Sequence, residues 1–261
     1  MRITGDGVWG KPADPAGARA LLQQVVNDGV DLIDTADSYG PDVSENLIAE
    51  ALHPYPDGLV IATKGGLTRP GPGIWDRACR PERLKRCCED SLRRLALERI
   101  DLYQLHAVDP QVPVEDSIGA LAELQDEGKI RHVGICNVDA EQLERARAII
   151  PIVSVQNRYN VADRHSEDVL QVCARDGLAF LPWFPLATGK LAAPGGALDE
   201  IARAHGATPA QVALAWLLAH SPVTVPIPGT SSPAHFAENL AAAQLELEQH
   251  ELAELDELAG S

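Results

Sequence analysis

Seven short apolar runs punctuate this chain, and amphipathic segments separate them. The runs are Leu32-Ile33, Leu59-Val60-Ile61, Leu102 to Leu105, Ile130 to Ile135, Ile152 to Val155, Leu178 to Leu181 and Val223 to Ile227. Several are β-branched, which suits strands buried on both faces of a parallel sheet. Strand starts fall near residues 31, 59, 101, 130, 152, 178 and 223, and most intervals hold one strand, one helix and two loops. Such alternation leaves a doubly wound sheet or a (β/α)8 barrel. A doubly wound dinucleotide fold places G-x-G-x-x-G directly after its first strand. No run here is followed by that motif, and Gly71-Pro72-Gly73 reads as a turn in a Pro-rich loop. The expected fold is therefore a (β/α)8 TIM barrel, a single domain over residues 1–261 without a linker. Only the end of a first strand, Met1-Arg2-Ile3, is present, so that strand is expected to be truncated.

Between the runs lie helix signals. Ser44 stands before Glu45-Asn46-Leu47 as a candidate cap of a helix ending near His53-Pro54. Thr208-Pro209 and Ser232-Pro233 each put a capping hydroxyl before a proline at the first helical position. Gly29, Gly128 and Gly177 fall between an apparent helix and a strand, where a left-handed C-cap is wanted.

Charge and composition exclude some partners. The formal net charge is −16, and a surface this acidic repels nucleic acid and anionic lipid. The longest apolar runs are far short of the roughly 20 residues a membrane helix needs, so no membrane association is expected. No basic stretch followed by an apolar run opens the chain. The five cysteines, Cys79, Cys87, Cys88, Cys136 and Cys173, form no C-x-x-C pair. They read as reduced thiols of a cytoplasmic protein. Zinc ligation by Cys87 and Cys88 has the wrong spacing, and no metal is expected.

In a barrel the chemistry sits at the C-terminal ends of the strands. Asp34 and Asp37 follow Leu32-Ile33, Lys64 follows Ile61-Ala62-Thr63, and His106 follows Gln104-Leu105. Cys136-Asn137, Gln156-Asn157 and Trp183 come later. A buried charge is costly unless paired, and Asp34 and Lys64 on neighbouring strands are candidates for that pair. Tyr39 lies on the loop returning from Asp34. A lysine beside it would lower the phenol from its usual pKa of about 10, giving a proton donor for carbonyl reduction. A neutral His106 would orient the carbonyl. Singly, each residue has an ordinary structural explanation: an ion pair, a packed loop ring, a satisfied histidine. Together, on successive strand ends, they point to chemistry.

At these positions the sequence resembles the aldo-keto reductase superfamily. The matching stretches are Asp34 to Gly40, Ala62-Thr63-Lys64, Asp101 to His106, Gly128 to Asn137, Ser154 to Asn160, Pro182 to Leu186, and Ile227 to Thr230 with Glu238-Asn239. The resemblance implies a barrel that binds NADPH without a Rossmann motif and reduces aldehydes or ketones by direct hydride transfer. It implies a tetrad in which Tyr39 is the general acid, Lys64 tunes it, Asp34 pairs with Lys64 and His106 orients the carbonyl. By position, Asn137 and Gln156 would hold the nicotinamide carboxamide, and Trp183, with Pro185 and Leu186 after it, would stack on that ring. Gly229, Thr230, Ser231 and Ser232 would meet phosphate at a helix N-terminus, with His235, Glu238 and Asn239 near the adenosine.

Four departures qualify the likeness. His235 stands where many members carry a basic residue for the 2′-phosphate, so NADH is kept beside NADPH as cofactor. The N-terminus starts late. The chain stops at Ser261 without a long substrate loop, and an open pocket is expected. A Pro/Gly-rich insertion from Gly66 to Arg80 is expected over the mouth, where Trp75 is a candidate substrate contact. Several stretches are similar to bacterial members that include pyridoxal reductases, which makes pyridoxal a candidate substrate. The expected partner is a small carbonyl compound, and the expected state is a monomer. The alternatives are a cofactor-binding, redox-sensing regulatory module, and a barrel isomerase or lyase using Lys64 as a Schiff-base amine. Pairing with Asp34 argues against the last.

Overall fold

The computed structural model describes residues 3–186 and 196–258, and the chain divides into two units, Met1–Val153 and Ser154–Ser261. In the first unit four parallel strands alternate with helices. They are β1 (Leu32–Asp34), β2 (Val60–Gly65), β5 (Ile100–Leu105) and β6 (Ile130–Cys136), paired in that order. Ile33 lies opposite Ile61, Thr63 opposite Tyr103, and Tyr103 opposite Val133. The sequence runs placed all four. An antiparallel ribbon, β3 (Leu67–Thr68) with β4 (Asp76–Arg77), fills the Gly66 to Arg80 insertion.

The helices of this unit are α1 (Pro15–Asn27), α2 (Val43–Leu52), α3 (Pro81–Leu95), α4 (Val114–Asp126) and α5 (Ala140–Arg147). Ala18 and Leu22 of α1 and Leu47, Ile48 and Leu52 of α2 close over Ile33 and Ile61, with Ile3 fully buried among them. Met1 and Arg2 lie outside the described residues, and the segment after Ile3 forms a 3-10 turn (Asp6–Val8) and a bridge from Trp9 to Gly40. Ser44 does not cap α2. The N-cap is Asp42 in a left-handed conformation, and the buried Ser44 hydroxyl instead receives the Thr35 hydroxyl at 2.8 Å. The hydrogen bond with Thr35, just past β1, takes the place of the local capping preference there.

β7 (Ile152–Gln156), whose last three residues begin the second unit, pairs in parallel with β8 (Ala179–Phe180). Its helices are α6 (Glu167–Asp176), α7 (Ala197–His205), α8 (Pro209–His220), α9 (Pro233–Ala241) and α10 (Gln249–Glu257). The two Pro-led caps hold. Thr208 and Gln211 form a reciprocal capping box, and the Ser232 hydroxyl accepts from His235 N. The expected strand from Val223 to Ile227 is only a single bridge, Phe180 to Thr224. Pro226 and Pro228 carry no N–H and cannot continue a ladder. All five cysteines are buried.

Candidate active site

β1 ends at Asp34, and the chain turns at once while staying tied to β2. Thr35 N donates to Ala62 O at 2.8 Å, and Asp37 N to Lys64 O at 3.3 Å. Tyr39 follows, its N–H on Ala36 O at 3.2 Å. Gly40, at φ 103°, reverses the chain; a Cβ there would stand 2.4 Å from Val43 Cβ, so the turn that carries Tyr39 needs glycine.

Lys64 is wholly buried, and its Nζ donates to Asp34 Oδ2 at 2.6 Å and to Thr35 O at 2.7 Å. Burial is the largest influence and opposes the ammonium, but Asp34, Tyr39 and Cys136 together outweigh it and hold Lys64 above the usual lysine range. The other carboxylate oxygen, Oδ1, accepts from Gln104 Nε2 at 3.0 Å. Gln104 Oε1 in turn faces Cys136 Sγ at 3.8 Å.

Lys64 Nζ lies 5.2 Å from the centre of the Tyr39 ring. The expectation that Lys64 brings Tyr39 below its ordinary pKa is corrected here. Burial raises the phenol, and Lys64 recovers only part of that shift, so the net direction is upward. The phenolate loses more by leaving water than it gains from one paired cation. Tyr39 therefore carries its proton at neutral pH.

His106, at the end of β5, is buried, with its N–H on Gly65 O at 2.9 Å and Nδ1 3.4 Å from the Ser38 hydroxyl. Burial first and the Lys64 charge second push the imidazole well below its usual pKa, so it is neutral at pH 7. Its ring is edge-on to Tyr39 with centroids 5.8 Å apart. Asn137, left-handed at φ 57°, donates from Nδ2 to His106 O at 2.9 Å. Trp75 completes a trio of rings, with centroids 6.3 Å from Tyr39 and 6.4 Å from His106. The structure thus gathers Asp34, Lys64, Tyr39, His106, Asn137 and Trp75.

The remaining sequence-derived positions lie in the second unit. Gln156 is buried at the end of β7. Trp183 is half-buried, its N–H on Asn157 O at 2.9 Å and the Arg158 guanidinium 5.8 Å from its ring centre. Pro185 is buried and Leu186 half-buried. Thr230 Oγ1 accepts from Ser232 N at 3.0 Å, just before α9. Gly229 is half-buried, Ser231 and His235 are exposed, and Glu238 and Asn239 are half-buried on α9. A flat indole, a buried amide and a hydroxyl-rich helix N-terminus are the donor chemistry a nicotinamide dinucleotide asks for. Within Gly229 to His235 the one ionisable side chain is His235. Among the described residues no group of three His, Cys, Asp or Glu side chains is arranged to hold a metal, and no helix is long and apolar enough to cross a membrane.

Sequence reasoning missed Gln104 and Arg69. Gln104 was visible as a polar residue in an apolar strand, two positions before His106. Arg69 is buried, with its guanidinium 3.6 Å from the Trp75 ring centre. Nothing in its local sequence marks it.

Comparison with known proteins gives the chain a family. The Aldo/keto reductase family model matches residues 1–259. An uncharacterized oxidoreductase of Schizosaccharomyces pombe is 47% identical, over 98% of this chain and 84% of its own. Pyridoxine 4-dehydrogenase of Escherichia coli is 43% identical over 98% of this chain and 91% of its own. An aldo-keto reductase from Klebsiella pneumoniae, solved in complex with NADPH, superposes with a TM-score of 0.83 at 27% identity, covering 99% of this chain and 87% of that one. The fold class is the (β/α)8 barrel expected from the strand runs. The chain belongs to the aldo/keto reductase family.

Proposed function

We propose that this member reduces small aldehydes and ketones to alcohols, with NADPH as the reductant and Tyr39 as the proton donor. The chain is an oxidoreductase by its family. The observation that carries the finer reading is the placement of Tyr39, its ring 5.2 Å from Nζ of the buried, Asp34-paired Lys64 and edge-on to His106.

The cofactor, when bound, supplies hydride. The chain's own residues do the rest. Lys64, kept charged by Asp34, stabilises the phenolate that Tyr39 becomes after giving up its proton. Neutral His106 hydrogen-bonds the carbonyl oxygen and sets its direction. Gln104 keeps Asp34 oriented toward Lys64. Asn137, Gln156, Trp183, Pro185 and Leu186 would hold the nicotinamide, and Gly229 to Ser232, His235, Glu238 and Asn239 the phosphates and adenosine. NADPH is favoured because a close structural neighbour was solved with it. NADH remains an accepted substitute in this reading, since His235 replaces a stronger cation.

Pyridoxal is the first substrate to try, because a relative is pyridoxine 4-dehydrogenase. The test is consumption of NADPH, and separately of NADH, by the purified chain with pyridoxal or benzaldehyde. Turnover supports the reading. Tight NADPH binding without turnover would favour the redox-sensing module instead.

A further inference from the structure

Arg69 makes a set of contacts that the tetrad does not need. It follows β3 and faces Trp75, which precedes β4, so the two residues stand at opposite ends of the ribbon's loop. Arg69 is 6% exposed. Its Nε donates to Ile74 O at 2.9 Å, Nη1 to Val8 O at 3.0 Å and Ser38 O at 3.3 Å, and Nη2 to Gly7 O at 3.1 Å. Those four carbonyls come from three separate segments. One of them, Ser38, directly precedes Tyr39. The guanidinium also lies 3.6 Å from the Trp75 ring centre and 5.5 Å from that of Trp9.

A tryptophan that is 39% exposed on a Pro/Gly-rich loop would ordinarily sample several rotamers. Here one face of Trp75 is backed by a flat cation, and that cation is itself pinned by backbone. The indole is thereby a fixed wall whose orientation is set against Tyr39 and His106, at interplanar angles of 82° and 71°. A carbonyl presented to Tyr39 has its substituent beside this wall. A fixed ring surface favours a planar, conjugated substituent, which can stack or meet it edge-to-face, over a puckered saturated one. Because Arg69 is committed to carbonyls, it offers no ready fork to a substrate carboxylate.

We propose that Arg69 is a positioning residue that acts through Trp75, and that together they select planar aromatic or conjugated aldehydes. This rests on the reductase reading above.

The experiment compares benzaldehyde with cyclohexanecarbaldehyde, which has the same carbon skeleton without planarity. The wild type is expected to favour benzaldehyde. Trp75→Leu is expected to lower kcat/KM for benzaldehyde about tenfold more than for cyclohexanecarbaldehyde, the difference falling mainly in KM. Arg69→Met is expected to reproduce that selective loss, and Arg69→Lys, which keeps charge but not the flat stack, to recover only part of it. Equal losses on both aldehydes in Trp75→Leu, or no loss, would overturn the proposal. So would an Arg69→Met defect confined to 4-carboxybenzaldehyde, which would make Arg69 a carboxylate site. If Arg69→Met does not fold, Arg69→Lys and Trp75→Leu decide. Equilibrium binding of the two aldehydes, followed by calorimetry in wild type and variants, reads the wall without turnover. An enzyme that binds benzaldehyde through Trp75 but reduces neither aldehyde keeps this inference and sinks the reductase reading. One that reduces both with no Trp75 dependence does the reverse.

Discussion

Lys64 reaches Asp34 at 2.6 Å with both side chains withdrawn from water. Taking away one partner leaves the other buried and uncompensated, which typically costs about 3–5 kcal/mol. Asp34→Asn is therefore expected to destabilise the chain by that order in urea unfolding. It should also lower turnover, because Lys64 loses the group that keeps it charged.

Tyr39→Phe removes the proton donor and little else. A loss in kcat of about 10²–10⁴-fold is expected, the usual worth of a positioned acid. Cofactor affinity, measured by fluorescence titration, should stay within a factor of about two, since by position the cofactor-holding residues lie elsewhere in the chain. A variant retaining most of its rate would sink the assignment.

Gln104→Leu keeps the volume of the side chain but withdraws the hydrogen bond to Asp34 Oδ1. Bonds to charged groups contribute about 1.5–3 kcal/mol. The variant should be less stable by that order and turn over more slowly, with unchanged KM for the cofactor. Unfolding curves and steady-state kinetics check both.

His235→Arg places a permanent charge at the exposed start of α9. If the 2′-phosphate is held there, the NADPH to NADH ratio of kcat/KM should rise about tenfold or more, as a charge-assisted bond to phosphate would give. Separate assays with the two reductants measure it.

Asp37 is buried with its carboxyl raised to about 7, chiefly by desolvation and then by Glu45, with Cys87 and Arg94 partly offsetting. The folded pKa lies above the unfolded value of about 3.9, so the native state holds the extra proton between those limits. Stability from this group is full below about pH 4 and is lost as pH rises toward 7. Asp37→Asn should make unfolding free energy at pH 8 more favourable to the native state, relative to pH 5, by about 2–3 kcal/mol compared with wild type. An unchanged pH slope would contradict the burial argument.

Much of this was legible from sequence because period and spacing survive folding. The parallel strands from β1 through β8 sit on the apolar runs, and Thr208 and Ser232 cap the helices their prolines announced. Asp34, Lys64, Tyr39 and His106 were readable because polar groups at apolar strand ends carry a desolvation cost that something must explain. Four features were not readable. Ser44 looks like a cap locally, but its hydroxyl meets Thr35 from another element. The Val223 run has strand composition, yet Pro226 inside it and Pro228 just after it limit pairing to Thr224. The net direction of Tyr39 depends on depth of burial, which no motif encodes. Arg69 escaped for the same reason, since three of its four carbonyl partners come from two distant segments, Gly7-Val8 and Ser38.

The five buried thiols have a consequence for the chemistry such a chain meets. Burial pushes Cys79 up to about 11 and Cys87 and Cys88 up to about 12, and Cys136 higher still. Thiolates, not thiols, are the nucleophiles that capture reactive electrophiles. Aldehydes, enals and quinones that reach the surface therefore find no exposed cysteine sulfur to alkylate.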